Sequence, residues 1–300
     1  MSSKYVIKHL VIGGGGPNGI ITYGALSQLS KLGFWELTNI ECIYGCSIGS
    51  LLGVIISLGY PCEWIDDYLI KRPWDKLLKE SKVPISDINS HRGLITNNFI
   101  IELMVPLLHA KDLLCTISLK DLYEYNHIDI HMFTVDMNSK SLEKIDLSYK
   151  THPTLLLTTA LAMSMAIPIM FQPILLNTEC YIDGGIINNF PLYDCIDFTK
   201  CDLNEILAIR ITYTTYIIPP ITESTSLIEM LYILIKKMAN SVSETRHQPT
   251  IKNIVDCKID DSFSPELWLL GLSSEQKRNE LLLQGYEFAR IFLVNHDLDH

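Results

Sequence analysis

Two kinds of hydrophobic run alternate along the first sixty residues. Tyr5–Ile12 is apolar enough for a strand buried on both faces. Ile20–Leu32 carries apolar positions at helical spacing, with Gly33 just past its end as a C-cap. Asn39–Tyr44 repeats the strand signature, and Ser47–Leu58 the helical one, closed by Gly59. Strand, helix, strand, helix in this order predicts βαβ connectivity, a mainly parallel sheet and helices on both of its faces.

Further on, Pro61 opens another helix in the favoured first-turn position. Lys71–Gly93 is mixed and charged and reads as a surface excursion. Helices are predicted over Asn97–Leu108, Ser118–Tyr125, Pro153–Met165, Ser226–Ala239 and Glu275–Val294, and strands over Asp129–Val135, Cys180–Ile182 and Glu205–Tyr213. No repeat or linker divides the chain, which predicts one domain over 1–300. Its motif-bearing core covers about 5–200, and 201–300 completes the fold or forms a lid. Ser226–Lys237 and the Phe263–Leu272 loop are apolar enough to serve as a lid or interfacial patch, although core packing is the preferred reading of the helix. Thr151–Thr178 has no charged residue and the length of a membrane span, but Pro153, Pro168 and Pro173 interrupt it. It reads as a buried helix and an adjoining core loop, not a transmembrane segment.

Composition narrows the function classes. Apolar residues make up 48% and charged residues 19%, enough for a large core. A net charge of -10 argues against nucleic-acid binding and against adsorption to anionic lipid. The 8 cysteines include no Cys-x-x-Cys pair and no Cys/His cluster with zinc-site spacing, so they read as buried thiols in a reducing compartment. Four glycines cut short the N-terminal apolar stretch, which is therefore no signal peptide. The expected location is intracellular, either cytoplasmic or peripheral to a membrane.

Three short motifs carry the candidate chemistry. Gly45-Cys46-Ser47-Ile48-Gly49 has the Gly-x-Ser-x-Gly form of a nucleophile elbow, in which glycines permit a sharp strand-to-helix turn with the serine exposed above the sheet edge. Asp183-Gly184-Gly185 places a carboxylate at the end of a short apolar run. The run Gly13–Gly16, followed by Pro17-Asn18-Gly19, fits Gly-x-Gly-x-x-Gly, a dinucleotide-loop pattern. The acidic residue that a ribose needs at the end of the second strand is missing, because Glu41 lies at the wrong end. The alternative use of the glycines is an oxyanion hole, with Gly14, Gly15 and Gly16 as donors, since Pro17 has no N–H. Ser47 needs a base. His247 is the best histidine candidate, Asp183 is the alternative, and Cys46 is a minor rival as nucleophile.

With the stretch Ala162–Pro173 and with Asp183–Pro191, these motifs resemble the patatin-like phospholipases over about Val11–Pro191. The resemblance implies a three-layer α/β/α sandwich and a Ser47–Asp183 dyad without histidine, metal or cofactor. It implies an oxyanion hole at Gly14, Gly15 and Gly16, with Gly19, Gly45, Gly49, Gly184 and Gly185 as supporting turns. Pro168 would shape the acyl wall, and Asn188 and Asn189 would brace the Asp183 loop. The implied activity is cleavage of acyl esters of phospholipids or related lipids at a membrane or micelle surface. Two departures stand out: Asn18 replaces the family's Arg or Lys, and Gly13 its aspartate. They leave room for a weakly active protein that uses the same fold for interactions; a nucleotide binder, through the glycine run, is a less favoured alternative.

Overall fold

The computed structural model describes residues 6–217, 220–244, 249–262 and 274–298. The expected alternation opens the chain: β1 (His9–Ile12), α1 (Gly19–Lys31), β2 (Cys42–Cys46) and α2 (Ile48–Ser57). Next come α3 (Cys62–Lys71), α4 (Trp74–Ser81), α5 (Ile88–His91), β3 (Gly93–Ile95), α6 (Asn98–His109) and α7 (Leu119–Asn126). The middle of the chain holds β4 (Asp129–Asp136), β5 (Lys144–Leu147), α8 (Leu157–Met165), β6 (Ile169–Phe171), β7 (Ile174–Leu176) and β8 (Glu179–Asp183). The last elements are α9 (Leu192–Thr199), β9 (Ile206–Ile217), α10 (Leu227–Glu244), β10 (Ile254–Ser262) and α11 (Glu275–Leu298).

The main sheet runs β10-β9-β1-β2-β4-β8-β7, with β5 also paired to β4. Its first five strands are parallel, whereas β8 and β7 are antiparallel additions at one edge. Strand alternation divides the apolar residues between the two faces. Leu10, Ile12, Ile43, Met132, Leu207 and Ile209 enter the large core beneath α1, α2, α6, α8 and α11. Val11, Tyr44, Cys46, Phe133, Ile206 and Ala208 enter a smaller core with Leu192 and Cys195 of α9. The result is the expected three-layer α/β/α sandwich.

Besides the short strands β3, β5, β6 and β7, three features differ from the sequence reading. The 71–93 stretch is no mere surface excursion: it forms α4, and Trp74 and Leu77 are buried in the large core. The strand β10 was not anticipated, because Asp256, Lys258 and Asp260 interleave with the core residues Val255, Cys257 and Ile259, as suits a strand at the sheet edge. Finally, α10 buries Tyr232 but exposes Leu227, Ile228, Leu234 and Met238, so it is not an ordinary core helix. The Phe263–Leu272 loop and His247 lie outside the described residues. Among the described residues, no helix is long and apolar enough to cross a membrane.

The two long helices α1 and α11 cross at paired glycines. A Cβ on Gly285 would lie 2.2 Å from the Ile21 carbonyl oxygen, and one on Gly24 would lie 2.4 Å from that of Leu282. Such contacts with backbone can be relieved only by separating the helices. Gly285→Val is therefore expected to destabilise the fold by about 3 kcal/mol; an unchanged urea midpoint would contradict this close crossing.

Candidate active site

Ser47 sits at the turn from β2 into α2 with φ +55° and ψ −127°, a strained conformation for a residue with a side chain. The neighbouring glycines explain how the turn closes. A Cβ on Gly45 would lie 2.6 Å from Ser50 Cα, and one on Gly49 would lie 2.2 Å from the Ile12 carbonyl oxygen. The turn is also held from α8: the Ser47 N–H donates to Ser164 Oγ at 3.2 Å, and Ser164 Oγ lies 2.8 Å from Ser50 Oγ. Ser50 and Ser164 are both fully buried. The sequence reading gave these two serines no role. Nothing in the sequence singles them out, because Ser57, Thr158 and Thr159 put further hydroxyls in the same two helices.

Asp183 ends β8, on the antiparallel strand beside β4. It is 2% exposed. Its Oδ1 accepts the Gly185 N–H at 2.7 Å, and Cys46 Sγ lies 4.0 Å from the same oxygen. Burial raises its carboxyl to about 7, while the Ser47 hydroxyl and the Gly185 N–H pull it partway back. Oδ2 is buried with no hydrogen-bond partner among the described residues. Among the described residues, no histidine is hydrogen-bonded to Ser47. His131, the most buried imidazole, is held between Asp146 at 2.8 Å and Asp129 at 3.3 Å.

The glycine run comes to the same place. A Cβ on Gly14 would lie 3.1 Å from Ser47 Cβ and 2.1 Å from Asn189 Oδ1. Asn189 clamps the run from both sides: its Nδ2 donates to Gly14 O at 3.0 Å, and its carbonyl accepts the Gly14 N–H at 2.9 Å. The Gly14 amide is spent on Asn189, whereas those of Gly15 and Gly16 have no partner among the described residues. Asn188 braces the same loop, with Oδ1 accepting the Phe190 N–H at 3.3 Å. Asn18 sits at the N-cap of α1 without a side-chain capping bond. Gly19 touches the elbow, since a Cβ there would lie 2.5 Å from Ile48 Cγ1, and Gly184 abuts the Phe133 carbonyl oxygen at 2.5 Å on the same test.

An apolar pocket opens at Ser47. Its walls come from Ile48, Leu51 and Leu52 of α2, Leu69 of α3, Trp74 of α4, Phe99 and Leu103 of α6, and Met165, Ile167 and Phe171 around α8 and β6. Pro168 lies between two of these wall residues, at the entry to β6, where Ile169 takes φ +74°. The glycine run contributes Gly16, Pro17 and Gly19 to the same pocket, whose apolar lining suits a hydrocarbon chain and not a nucleotide.

The chain is similar to several known proteins. The probable lipid hydrolase 463L of Invertebrate iridescent virus 6 is 29% identical over 222 residues, 72% of this chain and 73% of that protein. The uncharacterized protein YqhO of Bacillus subtilis is 26% identical over 198 residues, 61% of this chain and 65% of that protein. Among solved structures, VipD from Legionella pneumophila superposes with a TM-score of 0.54 at 16% identity, covering 97% of this chain and 67% of that one, which speaks for the fold alone. The description of the patatin-like phospholipase family matches residues 10–196, more than half of the 300, and the chain belongs to that family.

Proposed function

We propose that the chain is a serine hydrolase of acyl lipids that works through Ser47 and Asp183. The observation that carries this reading is the buried Asp183 carboxyl next to the elbow, whose strained serine lines an apolar pocket. In the ionised form Asp183 takes the proton of Ser47 Oγ as that oxygen attacks the ester carbonyl. The carbonyl oxygen becomes an oxyanion, which the free amides of Gly15 and Gly16 can receive. Each such donor is worth about 100- to 1000-fold in rate. The N-terminus of α2 adds its positive dipole end beside Ser47. Asp183 returns the proton to the leaving alcohol or lysolipid. A water that loses its proton to Asp183 then splits the acyl-enzyme and releases the fatty acid.

Acyl esters of phospholipids or similar lipids fit this site best, because the pocket offers its bound chain almost only carbon. The exposed apolar face of α10 suits uptake from a lipid surface. This helix packs against the turn Gly184–Ile186, which directly follows Asp183. The test is hydrolysis of a series of chromogenic acyl esters and of phosphatidylcholine in mixed micelles. Long acyl chains are expected to be preferred, and Leu103→Trp is expected to shift the preference to short chains by at least about tenfold. No fatty-acid release from any ester would refute the proposal. A chain-length profile untouched by Leu103→Trp would refute the pocket assignment.

A further inference from the structure

At the opposite, N-terminal edge of the parallel strands lies a cluster that the hydrolase reading does not use. His9 begins β1, Glu205 immediately precedes β9, and Cys201 lies in the connection from α9. In register, His9 stands beside Ile206 of β9 and Cys42 of β2, so the sheet itself brings residues 9 and 205 together. A ring nitrogen of His9, Cys201 Sγ and a Glu205 carboxylate oxygen all lie within 4.8 Å of one another. His9 is 4% exposed, and its Nδ1 is buried without a hydrogen-bond partner among the described residues. An unpaired buried ring nitrogen costs free energy unless something satisfies it.

We propose that His9, Cys201 and Glu205 form a binding site for a divalent cation of the zinc class, with water as the fourth ligand. The donor set of imidazole, thiolate and carboxylate is one that zinc accepts. In a tetrahedral site with bonds of about 2.0–2.3 Å, the ligand atoms stand roughly 3.3–3.8 Å apart. Closing this triangle around an ion therefore needs movements of about 1 Å. Cys201 and Glu205 are only partly buried and can supply them. Burial lowers the proton affinity of the His9 imidazole. Cys201 would lose its proton on binding, as metal-bound thiols do. Thr199 Oγ1 lies 3.1 Å from its sulfur, although its proton has a closer acceptor in the Cys195 carbonyl oxygen at 2.7 Å.

One group opposes the ion. Lys8 Nζ lies 2.9 Å from Glu205 Oε1 and competes for that carboxylate. Cys42 is a natural control, because it packs against the same small core as Cys201 but stands outside the ligand triangle. The bound ion would tie the start of β1 to the connection between α9 and β9, far along the strands from Ser47, so its role is structural and not catalytic.

The experiment is titration of the reduced full-length chain with Co2+ as a spectroscopic stand-in, followed by displacement with Zn2+. A near-ultraviolet thiolate-to-metal band is expected at one ion per chain. Cys201→Ser should abolish it, Cys42→Ser should leave it, and Lys8→Gln should tighten binding several-fold. Zn2+ should also raise the Tm of wild type but not of Cys201→Ser. Absence of the band from the folded wild-type chain, or a band that survives Cys201→Ser, would overturn the site.

Discussion

Ser47→Ala is expected to lower kcat/KM for acyl-ester hydrolysis by at least about 10⁴-fold, and Asp183→Asn by a comparable factor. The alanine variant removes the attacking oxygen, and nothing nearby replaces it. Cys46 is fully buried, and burial holds its thiol well above the ordinary range, so it is no substitute nucleophile. Asparagine keeps the size of Asp183 but cannot accept the Ser47 proton. The two residues act in one step, so the double variant should be no slower than Ser47→Ala alone. The activity that remains would come from the oxyanion donors and the pocket. Kinetics on the two single variants and the double variant check this, and losses that multiply in the double variant would show independent roles.

The second large effect is a conflict between stability and activity at Asp183. A free aspartate titrates near 3.9, whereas burial lifts this one to about 7 against the pull of Ser47 and Gly185. Between those values the folded chain holds a proton that the unfolded chain releases. Folding stability therefore falls as pH rises from about 4 to about 7 and is level above that range. About three pH steps at 1.36 kcal/mol each give a cost on the order of 4 kcal/mol at pH 8. Asp183→Asn removes the ionisation, so its stability advantage over wild type should widen by roughly 2–3 kcal/mol between pH 5 and pH 8. Urea unfolding at the two pH values measures it; a gap that stays constant or narrows would mean that Asp183 titrates as an ordinary carboxyl. In wild type, kcat/KM should fall about tenfold per pH step below about 7, as the base becomes protonated.

Much of this site was legible in the sequence because its parts are written locally. Gly45 and Gly49 leave backbone room for the elbow, and Asp183 stands at a strand end followed by two glycines. The βαβ order was legible for the same reason: each buried strand and its helix fit within a short window. Contacts between distant segments were not legible. Nothing near Gly14 shows that its amide is taken by Asn189, or that Ser164 supports the Ser47 backbone from another helix. Trp74 sits in a charged stretch whose average polarity hides its place in the pocket wall. The short strands β5, β6 and β7 offer too few residues for a period, and the charges interleaved along β10 mask an edge strand. His9, Cys201 and Glu205 escape any search by spacing, because the sheet and not the chain joins them.

In the proposed mechanism a carboxylate, without an imidazole, activates Ser47. This activation is tested most directly by the rate at which a fluorophosphonate modifies the folded chain, with the adduct located by mass spectrometry. A single adduct on Ser47 is expected in wild type, with labelling at least about 10³-fold slower in Asp183→Asn. Equal labelling rates in the two proteins, or an adduct anywhere but Ser47, would contradict it.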